Sequence, residues 1–483
     1  MTISVLSVAS EAVPLVKTGG LADVAGALPA AVAPHGVAMT TFLPGYPAVL
    51  RAVGAARAVH RYDDLFGQKA RILKARLGEN PLLVLDAPGL FVRDGQLYGD
   101  AAGRDWDDNW RRFAAFSRAA ADLAGGIVKG KAFDILHAHD WQAAMAPAYL
   151  RYDPPAGRRV RTVMTVHNMA FQGRFDAGIF PYVGLPPEAW GIEGVEYHGG
   201  VGFLKAGLQA ADAITTVSPG YAMEIRSPAF GMGLDGLIVG RGDAVSGIVN
   251  GIDTAVWTPE TDPALAARYT PRSLGARRAN KKAIEQAFGL DRDDGPLFVV
   301  VSRLTWQKGM DLLLDTLDHL IGLGGRLALL GSGDAGLEAG FHAAAARHPG
   351  RVAVRTRYDE ALSHLLQGGG DAILIPSRFE PCGLTQLYGL AYGCVPVVAR
   401  TGGLADTVID ANVAALAAEV ATGVQFLPID QGGLAQAITR TIDLHRQPDI
   451  WRKMQKRGMA ADFSWARSGE AYANLYQGLV RAP

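Results

Sequence analysis

The feature that most restricts what this chain can fold into is a rhythm that runs through it twice. In the first half, Ile3–Ala9, Leu82–Asp86, Phe133–His137, Thr162–Val166 and Ala213–Val217 are apolar runs of strand length. Leu21–Ala33, Asp108–Val128 and Phe203–Ala211 read as helices between them. After Val245–Val249 the pattern restarts. Strands are expected at Leu297–Ser302, Arg326–Leu330, Val352–Arg355, Ala372–Ile375 and Val395–Val398, with helices at Met310–Leu320, Leu337–Arg347, Glu360–Leu366 and Leu384–Tyr392. Short continuous apolar strands separated by helices belong to parallel sheets covered on both faces. The restart predicts two α/β domains of similar size rather than one sheet, with a hinge at the turn Asn250-Gly251-Ile252-Asp253. The end of the chain reads as helical, with Trp451, Trp465, Tyr472 and Tyr476 as anchors.

Length agrees, since 483 residues at roughly 150 per domain make two or three. Composition then removes whole classes of function. Lys+Arg 47 and Asp+Glu 47 cancel, so no strong basic field for nucleic acid or anionic membrane is expected. Cys382 and Cys394 are the only cysteines, which excludes a disulfide scaffold and a zinc site built on several thiolates. No signal peptide and no apolar run of about 18 residues is present, which leads us to expect a cytoplasmic protein.

One six-residue repeat stands out. Thr18-Gly19-Gly20-Leu21-Ala22-Asp23 recurs as Thr401-Gly402-Gly403-Leu404-Ala405-Asp406, preceded by Lys17 in one copy and Arg400 in the other. Each copy opens a helix, so the pair suggests two anion-receptive helix N-termini facing a shared cleft; a merely convenient turn is the plain alternative. Arg303-Leu304-Thr305-Trp306-Gln307-Lys308-Gly309 leaves the first strand of the second domain, where ligands bind in doubly wound sheets. Two cations on that loop suit a diphosphate, although a solvated charge pair would read the same way.

Three further segments carry polar chemistry. Gly331-Ser332-Gly333-Asp334-Ala335-Gly336 matches G-x-G-x-x-G, but it does not follow the first strand of its domain, and Arg355 and Arg357 stand near the next strand end where a dinucleotide site needs an acid. An NAD(P) oxidoreductase is therefore a minor alternative. His137-Ala138-His139-Asp140-Trp141 and His167-Asn168 end two strands of the first domain. They could ligate a metal, cap turns, or bind sugar through directional hydrogen bonds and a stacking indole; the last suits them best. Pro376-Ser377-Arg378-Phe379-Glu380-Pro381-Cys382-Gly383-Leu384-Thr385-Gln386 runs from a strand end into a helix, placing Glu380 and the Gly383–Thr385 amides on the ligand side.

Together these segments resemble bacterial glycogen synthases and the related plastid starch synthases, which use ADP-glucose. The resemblance rests on K-T-G-G-L-A-D, H-A-H-D-W, H-N-x-x-F-Q-G, V-N-G-I-D, S-R-L-T-x-Q-K-G, R-F-E-P-C-G-L-T-Q-L-Y-G-L and R-T-G-G-L-A-D-T, in that order along nearly the whole chain. It implies the GT-B architecture, two Rossmann-like doubly wound domains facing a deep cleft. The domains are expected at 1–245, completed by the C-terminal helix 461–483, and at 246–460. It implies retaining transfer of glucose from ADP-glucose to the non-reducing end of an α-1,4-glucan, with no metal or pyridoxal phosphate. Expected partners are ADP-glucose, ADP and glycogen, with no nucleic acid and no membrane; a homo-oligomer is compatible with it.

Family roles carry over by position. Lys17, Arg303 and Lys308 would meet the phosphates, Glu380 the sugar hydroxyls, and Asp140 and His167 the reacting glucose. Gly19, Gly20, Asp23, Trp141, Asn168, Asn250, Cys382, Gly383, Leu384 and Thr385 would complete the substrate site, and Tyr358 would stack on adenine. Arg357, Trp306 and Phe171 depart from the family's usual residues. The first two leave another retaining GT-B transferase, using UDP-glucose or a small acceptor, as the alternative.

Overall fold

A computed structural model describes residues 2–154, 158–357 and 359–481. The chain divides into two compact units. The first comprises 1–217, 222–251 and 465–483, and the second 218–221 and 252–464.

In the first unit the strands are β1 (Ile3–Val8), β2 (Val37–Pro44), β3 (Arg57–Tyr62), β4 (Ala70–Leu77), β5 (Asn80–Asp86), β6 (Ile135–His139), β7 (Arg161–Val166), β8 (Arg174–Asp176), β9 (Glu196–Tyr197), β10 (Gly200–Gly202), β11 (Ala213–Thr216) and β12 (Val245–Gly247). Nine of them form one sheet in the order β12-β11-β7-β6-β1-β2-β5-β4-β3, and β8, β10 and β9 form a small antiparallel sheet. The large sheet is parallel from β12 to β5, and β4 and β3 close its edge antiparallel.

The second unit holds β13 (Leu297–Val301), β14 (Arg326–Leu330), β15 (Val352–Arg355), β16 (Ala372–Ile375), β17 (Val395–Ala399) and β18 (Val424–Phe426), all parallel, in the order β15-β14-β13-β16-β17-β18. This is the 3-2-1-4-5-6 order of a doubly wound sheet. Side chains alternate across it. Phe298 and Val300 enter one apolar core and Leu297 and Val299 another, so both faces are buried.

Two expectations need correction. Strand β12 pairs with β11, which keeps the chain in the first unit through Gly251 rather than leaving it at 245. The tail is two helices, Pro448–Met459 and Trp465–Arg481, and it changes units between them. Trp451 joins a core of the second unit, whereas Tyr472 and Tyr476 pack with Val5, Leu28 and Ile135 in the first. The return therefore begins at 465, not 461. No described helix is long and apolar enough to cross a membrane.

Candidate active site

Strand order decides where a ligand can sit. In each sheet the order reverses beside the first strand, and the loops leaving the two flanking strands part to open a crevice at their carboxyl ends. In the first unit those strands are β1 and β6; in the second they are β13 and β16. The predicted site residues fall into two groups accordingly.

In the second unit, the loops after β13 and β16 enclose a cavity of about 50 Å³ lined by Ser302, Lys308, Ser377, Glu380, Gly383, Leu384, Thr385 and Gln386. Lys308 Nζ donates to Glu380 Oε2 at 2.5 Å, with side-chain exposures of 18% and 9%. Ser377 Oγ donates to the same oxygen at 2.9 Å. Gly383 has a φ of +71°, a left-handed backbone that favours glycine, and a Cβ there would lie 2.4 Å from Gln386 Oε1 and displace that amide. The Gln386 amide nitrogen donates to the Cys382 and Gly383 carbonyls, while its buried Oε1 has no partner among the described residues. Cys382 is buried, a packing residue of this loop. Arg303 is exposed, and among the described residues its guanidinium has no ion-pair partner. Such a charge is available to an incoming anion. Tyr358 lies outside the described residues.

In the first unit, Lys17 pairs with Asp23 at 2.8 Å on the exposed loop before the helix Gly20–Val32. Added Cβ atoms on Gly19 and Gly20 would meet nothing within 4 Å. The loop is held from beneath by Glu11, a buried carboxylate that accepts from Thr18 Oγ1 at 2.5 Å, Tyr98 OH at 2.5 Å, Gly19 N at 3.3 Å and the Thr18 amide. The Gly19 N–H, expected to approach the donor, is thus already paired. Glu11 was missed in the sequence; the available signal was an acid placed directly after a buried strand.

Asp140 follows β6 with a φ of +54°, a left-handed conformation uncommon outside glycine. Its Oδ1 accepts the His167 N–H at 2.7 Å. Burial pushes its carboxyl up to about 7, against the pull of the His167 and Asn168 amides. Strain held in place by a neighbouring strand end is a mark of functional positions. Trp141 packs edge-on to Phe113 at 4.9 Å, and Gly173 sits under its ring, where a Cβ would come within 2.4 Å. Asn250 is buried with Oδ1 unpartnered among the described residues. Asn168 Oδ1 is turned back on the Ala170 N–H at 3.0 Å.

The histidines form chains rather than a metal cage. His137 joins Tyr476 OH at 2.7 Å and Thr165 Oγ1 at 2.6 Å, and His139 joins Ser7 Oγ at 3.2 Å and His167 Nε2 at 3.0 Å. Both ring nitrogens of His137 and of His139 are engaged. Burial lowers His139 to about 3 and holds His137 and His167 well below their usual value, so the rings are neutral. Among the described residues no group of three or more His, Cys, Asp or Glu side chains could hold a metal ion.

Two glycine motifs turn out to be structural. In the 331–336 loop, Cβ atoms on Gly331 and Gly333 would strike the Ser302 and Leu304 carbonyls at 1.8 and 2.3 Å. Asp334 caps the following helix by accepting from Gly336 N and Leu337 N. A side chain of the protein already holds the amides that a pyrophosphate would need. The second T-G-G-L-A-D copy is packed rather than open. Gly403 N donates to the Glu380 carbonyl at 3.1 Å, and a Cβ on Gly403 would lie 2.2 Å from the Cys382 carbonyl oxygen. The two copies share letters but not surroundings.

Comparison with known proteins settles the family. The chain is 70% identical over 481 residues, 99% of each chain, to the glycogen synthase of Novosphingobium aromaticivorans. The chain belongs to the glycogen synthase family. A second member, from Mesorhizobium japonicum, is 60% identical over 99% of each chain. Residues 4–240 match the starch synthase catalytic domain, and residues 281–457 match glycosyl transferases group 1. The catalytic domain of starch synthase IV from Arabidopsis thaliana, solved bound to ADP and acarbose, superposes with a TM-score of 0.87 at 31% identity over 100% of both chains. The fold of this glycogen synthase family member is GT-B, and the protein is a glycosyltransferase.

Proposed function

We infer that this enzyme transfers glucose from ADP-glucose to the non-reducing end of an α-1,4-glucan, with retention of configuration and release of ADP. The observation that carries the reading is the Lys308–Glu380 pair at 2.5 Å over the carboxyl ends of β13 and β16. A cation and a carboxylate share one small cavity, as a sugar diphosphate requires. Lys308 and the exposed Arg303 meet the diphosphate, whose charge grows as the glucosyl bond breaks. Glu380 accepts hydrogen bonds from the glucose hydroxyls, and Thr385 with the Gly383 and Leu384 amides completes the phosphate site.

Among first-unit residues, this reading assigns Lys17 to the phosphates, Asp140, Trp141 and His167 to the glucose, and Gly19, Gly20, Asp23, Asn168 and Asn250 to substrate binding. The bond from the anomeric carbon to the phosphate oxygen breaks, and a bond to the acceptor hydroxyl forms on the same face. The departing phosphate takes that hydroxyl's proton. Phosphate neutralisation by Arg and Lys does the work a metal does elsewhere, so this reading needs neither metal nor pyridoxal phosphate. Cytoplasmic action on glycogen completes it.

The test is incorporation of labelled glucose into glycogen from ADP-glucose and, separately, UDP-glucose, with chelator present. Strong incorporation from ADP-glucose alone is expected. Preference for UDP-glucose would keep the fold and overturn the donor, and loss of activity with chelator would overturn metal independence. A glucosyl adduct trapped on a side chain would overturn the same-face step.

A further inference from the structure

Lys308 and Glu380 sit on different loops, and something must fix the distance between those loops. Arg378 makes the largest set of links between them. The Arg378 backbone N–H donates to the Gln307 carbonyl at 2.9 Å, and its guanidinium donates to the Trp306 carbonyl at 2.7 Å. The same guanidinium forks onto Asp311 with two bonds of 2.7 Å, and its carbon lies 4.5 Å from the Trp306 ring centroid. Gln307 returns the link, its Nε2 donating to the Phe379 carbonyl at 3.3 Å. Behind it the loops are in direct contact: Gly309 has a φ of +66°, and a Cβ there would lie 1.9 Å from the Pro376 carbonyl oxygen.

We propose that Arg378 is a positioning residue for the transfer reaction, clamping the loop that carries Lys308 to the loop that carries Glu380. The proposal rests on the functional reading above for what the two residues do, but the clamp can be measured without it. Guanidinium geometry is what suits the task. A planar fork spans both carboxylate oxygens of Asp311 while an edge remains for the Trp306 carbonyl, and its face stacks on indole. A lysine ammonium keeps the charge and loses the fork. Trp306, the large residue between the two phosphate-binding cations, is 62% exposed and covers the guanidinium. Its size therefore serves the clamp rather than filling a core.

The experiment compares wild type, Arg378→Ala, Arg378→Lys and Asp311→Asn by steady-state kinetics and by hydrogen–deuterium exchange. In Arg378→Ala, exchange should rise in 303–309 and 376–383 together and remain unchanged in the first unit. The turnover number kcat should fall by about tenfold or more with KM for ADP-glucose nearly unchanged, because a misplacement of about 1 Å at the reacting groups is felt in the transition state. Asp311→Asn should show the same coupled exchange to a lesser degree, Arg378→Lys should recover part of kcat, and added methylguanidine should recover part of it in Arg378→Ala. Unchanged exchange in either loop, or a kcat within about twofold of wild type in folded protein, overturns the proposal. Should Arg378→Ala fail to fold, Asp311→Asn decides by the same two readouts. Coupled exchange in a protein whose wild type ignores ADP-glucose would leave the clamp standing and remove the donor assignment instead.

Discussion

At the scale of single residues, the site combines groups that are costly to hold with neighbours that hold them. Glu380 is buried at 7% exposure beside Lys308 and Ser377. Glu380→Ala and Lys308→Ala are each expected to lower kcat by about 100-fold or more, and the double variant should be little worse than the poorer single one, because the two act as a unit. Kinetics on the four proteins check this; additive losses would show that the pair is not a unit. Asp140 makes a different demand, since its left-handed backbone and its bond to the His167 amide are separate requirements. Asn tolerates that conformation and keeps an acceptor, whereas Ala has neither advantage. Asp140→Ala should cost about 1–3 kcal/mol in urea unfolding and Asp140→Asn clearly less. Equal losses would mean that the amide bond contributes nothing.

At the scale of elements, the two copies of T-G-G-L-A-D make a controlled comparison. Gly19→Ala places its Cβ in open space on an extended backbone, so the melting temperature should hold while KM for the donor rises. Gly403→Ala must displace the Cys382 carbonyl and should lower the melting temperature by about 4 °C or more. Thermal melts of both variants test the contrast directly. Identical letters could not reveal this, because what distinguishes the copies is a chain segment packed on one of them. Most core strands were legible for the opposite reason, although the buried inner strand β2 was not read. Burial on both faces writes β13 and β16 as unbroken apolar runs, and β14 as one after its opening Arg326. Strands β3 and β4 were missed because they lie at the sheet edge, where Arg57, Arg61, Lys74 and Arg76 interrupt the apolar pattern. Three-residue β18 was too short to register. Motif letters are what single out Lys17, Asp140, Arg303, Lys308 and Glu380 as candidate site residues. Glu11 carries no such mark, and Arg378 stands inside a motif whose letters do not show its partners, because Trp306 and Asp311 lie 72 and 67 residues away.

At the scale of the whole molecule, buried neutral histidines make stability depend on pH. His137 and His139 are fully buried, and burial holds their basicity down, His139 to about 3 from an ordinary 6.5. In the unfolded chain both take protons below about 6.5, so the unfolded state binds more protons there and stability falls as pH falls. Asp140 acts in the opposite sense, because its carboxyl near 7 holds a proton in the folded state that an unfolded aspartate, at 3.8, has released. His167 is held down in the same way, and three against one leaves a net loss of about 2–3 kcal/mol per pH unit on acidification from about 6 to about 4.5. Urea midpoints across that range should drop, and a flat or rising profile would contradict the neutral assignment of the three rings.

The helix Trp465–Arg481 carries one more consequence. It supplies Tyr472 and Tyr476 to the core built by Val5, Leu28 and Ile135, and Tyr476 to the buried His137. Residues 252–464, nearly all of the second unit, therefore emerge from the ribosome before the first unit has all its parts. Domains usually acquire structure in the order they are synthesised, but here the earlier half is completed by a segment translated after nearly all of the other half. During synthesis, the apolar face that Tyr472 and Tyr476 cover is left bare until residues 252–464 have been made.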